Sequence, residues 1–161
     1  MNRRFFNRTG AGVLVGLGGL FAIASARSEP AKQDPALKIH RMAFQVSSGD
    51  TQLMTLVLGN ATNAADYYKT RNEAVEIEIV AFGPGYLMLR DISPVKDRIA
   101  ELHKAMPSMV FSACQNSRAA LARQNNKTPA DIIQLPEATD VPAGVVRLSE
   151  LQEQGWSYIR T

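Results

Sequence analysis

The chain has 161 residues, of which 45% are hydrophobic and 20% are charged, and it carries 18 basic against 15 acidic residues. Three of the basic residues and none of the acidic ones lie in residues 1–26, so residues 27–161 are formally neutral. The sequence has no basic stripe with interleaved aromatic residues, which argues against nucleic acid as a partner. Residues 37–161 are long enough for a single hydrophobic core, so we expect one domain there.

The first 26 residues have the layout of an export signal peptide. A basic start is followed by an apolar stretch from Ala11 to Ala26, which ends in small residues suited to cleavage. Arg3 and Arg4, followed by two phenylalanines, resemble the twin-arginine motif of export signals. This pattern predicts a periplasmic protein whose leader is removed after Ala26. A general secretion signal, or a leader kept as an anchor, is the alternative interpretation.

Cleavage would leave no stable membrane span, because the apolar stretch is shorter than the roughly 18 residues of a spanning helix. Residues 27–36 are rich in proline and charge and are predicted to form a flexible lead-in. Exported proteins commonly use cysteines in pairs as disulfides, whereas this chain has only Cys114. The export context therefore favours a mixed disulfide or a working thiol.

The first half of the domain has the pattern of two strands around a helix. Residues 37–46 form a β-rich run, and apolar residues at helical spacing follow, with Ser48 or Asp50 as the predicted N-cap. Residues 75–82 alternate and then become wholly apolar, as in a buried strand. The sequence GPGY, residues 83–86, is predicted to break that strand.

The second half continues the alternation. The predicted elements are a helix from Ser93 and Pro94 to Met106, a strand over 109–113, a helix over 115–124, a strand over 131–135, a helix from Pro142 to Gly155 and a strand over 156–159. Strands separated by helices predict an α/β fold. We expect three layers, with a mostly parallel open sheet of about five strands and helices on both faces.

In open parallel sheets, ligands and reactive groups gather beyond the carboxyl ends of the strands. Cys114 follows the third predicted strand, and the turn with Gly83, Gly85 and Tyr86 follows the second. We therefore expect the cysteine and this turn at the same edge of the sheet.

Cys114 lies at the first turn of a predicted helix. Unpaired backbone N–H groups and the helix dipole favour the thiolate there and lower the pKa of the thiol. Gln115, Asn116 and Ser117 are small or polar neighbours, and Arg118 adds positive charge if its side chain folds back. This environment suits a nucleophilic thiol or a persulfide. A buried cysteine that packs like a small hydrophobic residue is the alternative.

Other candidate groups have weaker patterns. His40 and His103 have no second histidine or cysteine at ligand spacing, so we expect structural or surface histidines and no metal site. Glu73, Glu76 and Glu78 lie near one another in sequence, and Glu76 and Glu78 share one face of a strand. We interpret that face as solvated rather than as an acid–base pair.

Residues 38–161 resemble the DsrE/DsrF-like family, small α/β proteins of sulfur-transfer systems. The resemblance depends on FSACQNSRAALAR, residues 111–123, and VPAGVVRLSELQEQGWSYIR, residues 141–160, with weaker support from AFGPGYLML, residues 81–89. It implies that Cys114 carries sulfur as a persulfide, because the active cysteine of relay members follows the third strand and begins an alanine-rich helix. It also implies a homo-oligomer, a trimer or a hexamer.

Together these observations predict an exported protein that carries sulfane sulfur on Cys114, with donor and acceptor proteins as partners and no cofactor. They do not decide whether the protein is an enzyme. The alternative is an oligomeric ligand-binding or structural α/β module with an inert cysteine. A third interpretation is a periplasmic thiol that senses oxidants.

Overall fold

The computed structural model describes residues 38–161, and the predicted leader and lead-in lie outside the described residues. The strands are β1 (Ile39–Val46), β2 (Ala74–Ala81), β3 (Met109–Cys114), β4 (Ala138–Val141) and β5 (Ser157–Arg160). The α-helices are α1 (Thr51–Thr70), α2 (Lys96–Ala105), α3 (Gln115–Gln124) and α4 (Gly144–Glu153), and two 3-10 helices span Gly83–Leu89 and Pro129–Asp131. Among the helices of residues 38–161, none is both long and apolar enough to cross a membrane.

The five strands form one parallel sheet in the order β4-β3-β2-β1-β5. The chain steps from β1 to β4 through α1, α2 and α3, and then returns across the sheet to β5 through α4. Because parallel crossovers are right-handed, the return in the opposite direction places α4 on the opposite face. The predicted α/β fold with a five-stranded sheet and helices on both faces is confirmed.

Alternating strand residues build a core on each face of the sheet. On one face, Phe44, Ile79 and Phe111 pack in a large cluster with residues of α1, α2, α3 and the 3-10 helix Gly83–Leu89. On the other face, Ala43 and Val80 pack against Leu148 and Leu151 of α4, with Phe82 and Trp156 beside them. The two clusters make the fold a three-layer sandwich.

The helix starts follow local capping. The Asp50 carboxylate accepts hydrogen bonds from the N–H groups of Gln52 and Leu53 at 2.6 and 3.2 Å, which selects Asp50 over Ser48 as the N-cap of α1. Helix α2 begins at Lys96 rather than at Pro94, and the Ser93 hydroxyl accepts from the N–H of Val95 at 3.3 Å. The predicted break after β2 is a 3-10 helix, Gly83–Leu89.

The predicted strand over residues 131–135 is wrong, and the fourth strand is Ala138–Val141. Residue Ile132 is buried in the larger core and the N–H of Leu135 donates to the carbonyl of Leu89 at 2.9 Å. This segment therefore pairs with the end of the 3-10 helix, whereas the more polar β4 pairs with β3. The apolar residues of segment 131–135 correctly indicated that part of it is buried, but they did not indicate which element it pairs with.

Candidate functional site

Cys114 ends β3 and is the N-cap of α3. Its sulfur accepts a hydrogen bond from the N–H of Ser117, with 3.4 Å between nitrogen and Sγ. Only 4% of the residue is exposed, and it is a free cysteine. The sulfur thus takes the place that a serine or aspartate oxygen usually takes at a helix start.

A second helix also begins at this sulfur. Val141 of β4 pairs with Cys114 of β3, and α4 begins three residues later at Gly144. The N–H of Gly144 faces the cysteine sulfur and lowers the pKa of the thiol. Ala143 provides no side-chain cap for α4, so the start of α4 and the start of α3 both present N–H groups towards Cys114.

Residue 144 must be a glycine because the start of α4 lies very close to Phe82. A Cβ atom at this position would lie 2.8 Å from Cβ of Phe82, a distance that real side chains do not show. The absence of a side chain lets the start of α4 pack directly on Phe82. That packing keeps the N–H of Gly144 within reach of Cys114.

The surroundings of Cys114 favour the thiolate. Burial raises the pKa of the thiol, but the Ser117 hydroxyl and the N–H groups of Gly144 and Ser117 lower it by more. The pKa of Cys114 is therefore below the ordinary value of cysteine. A thiolate at the positive ends of two helix dipoles has the character of a nucleophile.

The turn after β2 holds Ser117 in place. The N–H of Gly83 donates to the Ser117 hydroxyl oxygen at 2.7 Å, which holds the hydroxyl near Cys114, where it lowers the pKa of the thiol. Gly85 packs its Cα against the carbonyl of Val46, where a Cβ would clash. The structure thus brings the turn and the cysteine together at the carboxyl edge, as the strand order requires.

A polar network lies beside the cysteine. Gln115 donates to the Asp140 carboxylate at 2.9 Å, and Gln134 donates to the same oxygen at 2.7 Å. Tyr86 is 1% exposed, and its hydroxyl donates to Oε1 of Gln134 at 2.8 Å. Burial raises the pKa of this hydroxyl, which keeps it a donor. The network ties the 3-10 helix, α3 and β4 into one rigid edge.

Asn116 and Arg118 also form contacts away from the sulfur, although the N–H of Asn116 contributes to the lowered pKa of the thiol. The N–H of Asn116 donates to the carbonyl of Pro142 at 3.2 Å and so joins the start of α3 to the approach of α4. Nε of Arg118 donates to the carbonyl of Ile132 at 3.1 Å. The Arg118 side chain therefore anchors the loop after α3 instead of folding back onto Cys114.

A groove lies between the 3-10 helix Gly83–Leu89 and α3, with a volume of about 560 Å³. Asn116 and Ser117 line it, so it runs beside the residues that hold the cysteine sulfur. Cys114 itself lies behind Ser117.

The interpretation of Glu78 as part of a solvated face is wrong. Glu78 is 2% exposed, and its carboxylate accepts two hydrogen bonds of 2.7 Å from the Arg147 guanidinium of α4. The Ser112 hydroxyl of β3 donates to the same carboxylate. Alternation in a strand cannot reveal this burial, because the covering helix is 69 residues away in sequence.

The histidines agree with their structural interpretation. Nε2 of His40 lies 2.7 Å from the Glu73 carboxylate, and its ring stacks on Tyr68 with 3.8 Å between centroids. His103 is exposed on α2. Within residues 38–161, no group of three or more histidine, cysteine or acidic side chains is placed to hold a metal ion.

Sequence reasoning named Ser117 as a polar neighbour of Cys114 but missed Gly144 as a part of the site. A serine three residues after a cysteine N-cap is a recognisable signal, because the third residue of a helix faces its cap. Gly144 has the weaker signal of a glycine at a helix start, where a side chain would ordinarily be tolerated. Its role depends on Phe82, which is distant in sequence.

No protein-family model and no curated protein matches the chain. Among solved structures, the protein of unknown function MTH1491 from Methanobacterium thermoautotrophicum is similar, with 28% sequence identity and a TM-score of 0.63. The match covers 76% of this chain and 99% of that one. The likeness agrees with the α/β fold, and the neighbour, whose function is unknown, brings no activity to it.

Proposed function

We propose that the protein carries sulfane sulfur as a persulfide on Cys114. The observation that supports this is the pair of helix starts at one sulfur, which lower the pKa of the thiol without a charged partner. A persulfide also bears its charge on sulfur, so donors that stabilise a thiolate suit it as well.

The transfer is a thiol exchange. The Cys114 thiolate attacks the outer sulfur of a donor persulfide, R–S–SH. A bond forms between Sγ and that sulfur, the S–S bond of the donor breaks, and its electron pair leaves on R–S⁻. The proton stays on the transferred sulfur. The reverse attack by an acceptor thiolate unloads the protein, so neither step needs an oxidant or a cofactor.

The proposed setting comes from the sequence. The leader pattern of residues 1–26 supports export to the periplasm, and the resemblance to the DsrE/DsrF-like family supports a trimer or hexamer that meets donor and acceptor proteins.

One observation favours the alternative of an inert α/β module. Cys114 is 4% exposed, so a donor reaches the sulfur only if the edge around Ser117 gives way. A buried cysteine that merely packs would show the same low exposure.

The intact mass of the protein tests the proposal. Incubation with polysulfide should add a mass of whole sulfur atoms that a reductant removes, and Cys114→Ser should show no such gain. The alkylation rate of wild type should stay high below the ordinary thiol pKa of about 8.5. An unmodified thiol that is alkylated only after denaturation would establish the inert module. A gain of oxygen in peroxide, without sulfur loading, would establish an oxidant sensor.

A further inference from the structure

The groove between the 3-10 helix Gly83–Leu89 and α3 has the size of a small-molecule site. Its volume of about 560 Å³ lies within the roughly 300–1,000 Å³ typical of ligand pockets. Its wall is largely apolar, with Pro84, Leu87, Ala120 and Leu121 among the lining residues. Ligand pockets commonly combine such a wall with a few polar groups that orient the ligand.

Arg90 supplies a cation to this groove. It lines the groove from the end of the 3-10 helix, and its Nε atom is buried with no hydrogen-bond partner among the described residues. None of the ion pairs among residues 38–161 includes Arg90. The buried Nε atom is not accessible from the groove, but the terminal N–H groups of Arg90 are not buried in this way and also have no hydrogen-bond partner among the described residues, so they can meet an acceptor in the groove.

The acceptor that fits a guanidinium best is a planar anion such as a carboxylate, which takes two parallel hydrogen bonds. The groove also reaches Ser117 and Asn116 at the start of α3, and the N–H of Ser117 donates to the sulfur of Cys114, which does not itself line the groove. A ligand in the groove therefore has an anion site at Arg90 and is separated from the thiol by Ser117.

We propose that this groove binds an organic persulfide that bears a carboxylate, with Arg90 as the residue that recognises the carboxylate. The inference rests on the proposed function, because it names the donor from which Cys114 takes sulfur. The apolar wall holds the organic part of the donor. The persulfide end lies against Ser117, and it reaches Cys114 when the edge around Ser117 gives way; sulfur transfer then follows the exchange described above.

Loading of Cys114 by different donors tests the proposal, with intact mass as the readout. The donors are glutathione persulfide, which bears carboxylates, the persulfide of 2-mercaptoethanol, which does not, and thiosulfate. In Arg90→Gln, the concentration of glutathione persulfide for half-maximal loading should rise about tenfold. Loading by the uncharged persulfide should not change, and Arg90→Lys should restore part of the loss.

Arg123→Gln is the matched control, because Arg123 is exposed on α3 and does not line the groove. It should load like wild type with every donor. Equal loss with charged and uncharged donors in Arg90→Gln would mean that Arg90 is structural, and no loss would mean that it does not bind the donor. If loading by thiosulfate depended on Arg90 more strongly than loading by glutathione persulfide, the assignment of an organic persulfide as the donor would be overturned.

A binding measurement separates this inference from the proposed function. Calorimetry of Cys114→Ser with glutathione should show binding that Arg90→Gln weakens, although no sulfur can be transferred. Such binding without any loading of wild type would overturn the carrier and keep the groove as a carboxylate site. Loading of wild type without Arg90-dependent binding would overturn the groove and keep the carrier.

Discussion

Cys114 and Glu78 are both buried at the sheet face that α4 covers, and their charges are stabilised in different ways. Glu78 is 2% exposed and is paired with a cation, since two hydrogen bonds of 2.7 Å join it to Arg147. Cys114 is 4% exposed and accepts from the N–H of Ser117, and the neutral Ser117 hydroxyl and N–H of Gly144 also lower the pKa of its thiol.

The difference teaches which of the two groups is free to react. A carboxylate with a bidentate guanidinium partner has its charge neutralised, so the pair fixes α4 on the sheet. A thiolate held by dipoles keeps its lone pairs and its nucleophilicity, because no ion competes for them. The ion pair thus serves the fold, and the cysteine is left for chemistry.

Breaking the ion pair should have the largest effect. Arg147→Met leaves the buried Glu78 carboxylate without a partner and should lower the free energy of unfolding by about 3 kcal/mol. The matched control is Arg41→Met, which breaks an exposed pair with Glu76, also on β2, and should cost less than about 1 kcal/mol. Urea unfolding measures both variants. Equal losses would mean that burial of Glu78 does not distinguish the two pairs.

Moving the start of α4 should have the next largest effect. Gly144→Ala puts a Cβ atom 2.8 Å from Phe82, so it should lower the free energy of unfolding by about 1–3 kcal/mol and raise the pKa of Cys114. Gly59→Ala is the control, because no atom lies within 4 Å of a Cβ at that helical position. It should stabilise α1 slightly and leave the thiol pKa unchanged. If the pKa of Cys114 in Gly144→Ala equals that of wild type, α4 does not contribute to the stabilisation of the thiolate.

Removing one neutral donor should have the smallest effect. Ser117→Ala deletes a hydroxyl that lowers the pKa of Cys114, so this pKa should rise and alkylation below the ordinary thiol pKa should slow severalfold. Arg118→Ala should change the rate less, because that guanidinium binds the Ile132 carbonyl. A larger effect of Arg118→Ala than of Ser117→Ala would show that charge, and not the hydroxyl, controls the thiol.

The same lowered pKa predicts a pH dependence of stability. The folded thiol loses its proton at lower pH than the unfolded thiol, whose pKa is about 8.5. The stabilisation by the thiolate is therefore complete above the unfolded pKa and is lost as the pH falls through the folded pKa. The difference in unfolding free energy between wild type and Cys114→Ser should grow as the pH rises across this interval. A constant difference would mean an unperturbed thiol.

Much of the fold follows from short-range patterns. Apolar runs predicted β1, β2 and β3 within a residue or two, and Asp50 was identified as one of two candidate caps for α1. These elements are determined locally, because hydrophobic periodicity and capping depend on residues a few positions apart. The position of Cys114 at the start of α3 follows in the same way, from the end of an apolar run and the beginning of a helical one.

Tertiary structure decided the rest. The apolar residues near Ile132 form no strand because they pack under the 3-10 helix. Glu78 is buried because α4, which is distant in sequence, covers it and provides Arg147 as its partner. Gly144 matters only because β4 lies beside β3 and brings α4 to the sulfur. The sequence by itself therefore determined where the thiol lies and most of the helices and strands, but not the fourth strand. The sheet order, a long-range property, decided which second helix meets the thiol and so how strongly its charge is stabilised.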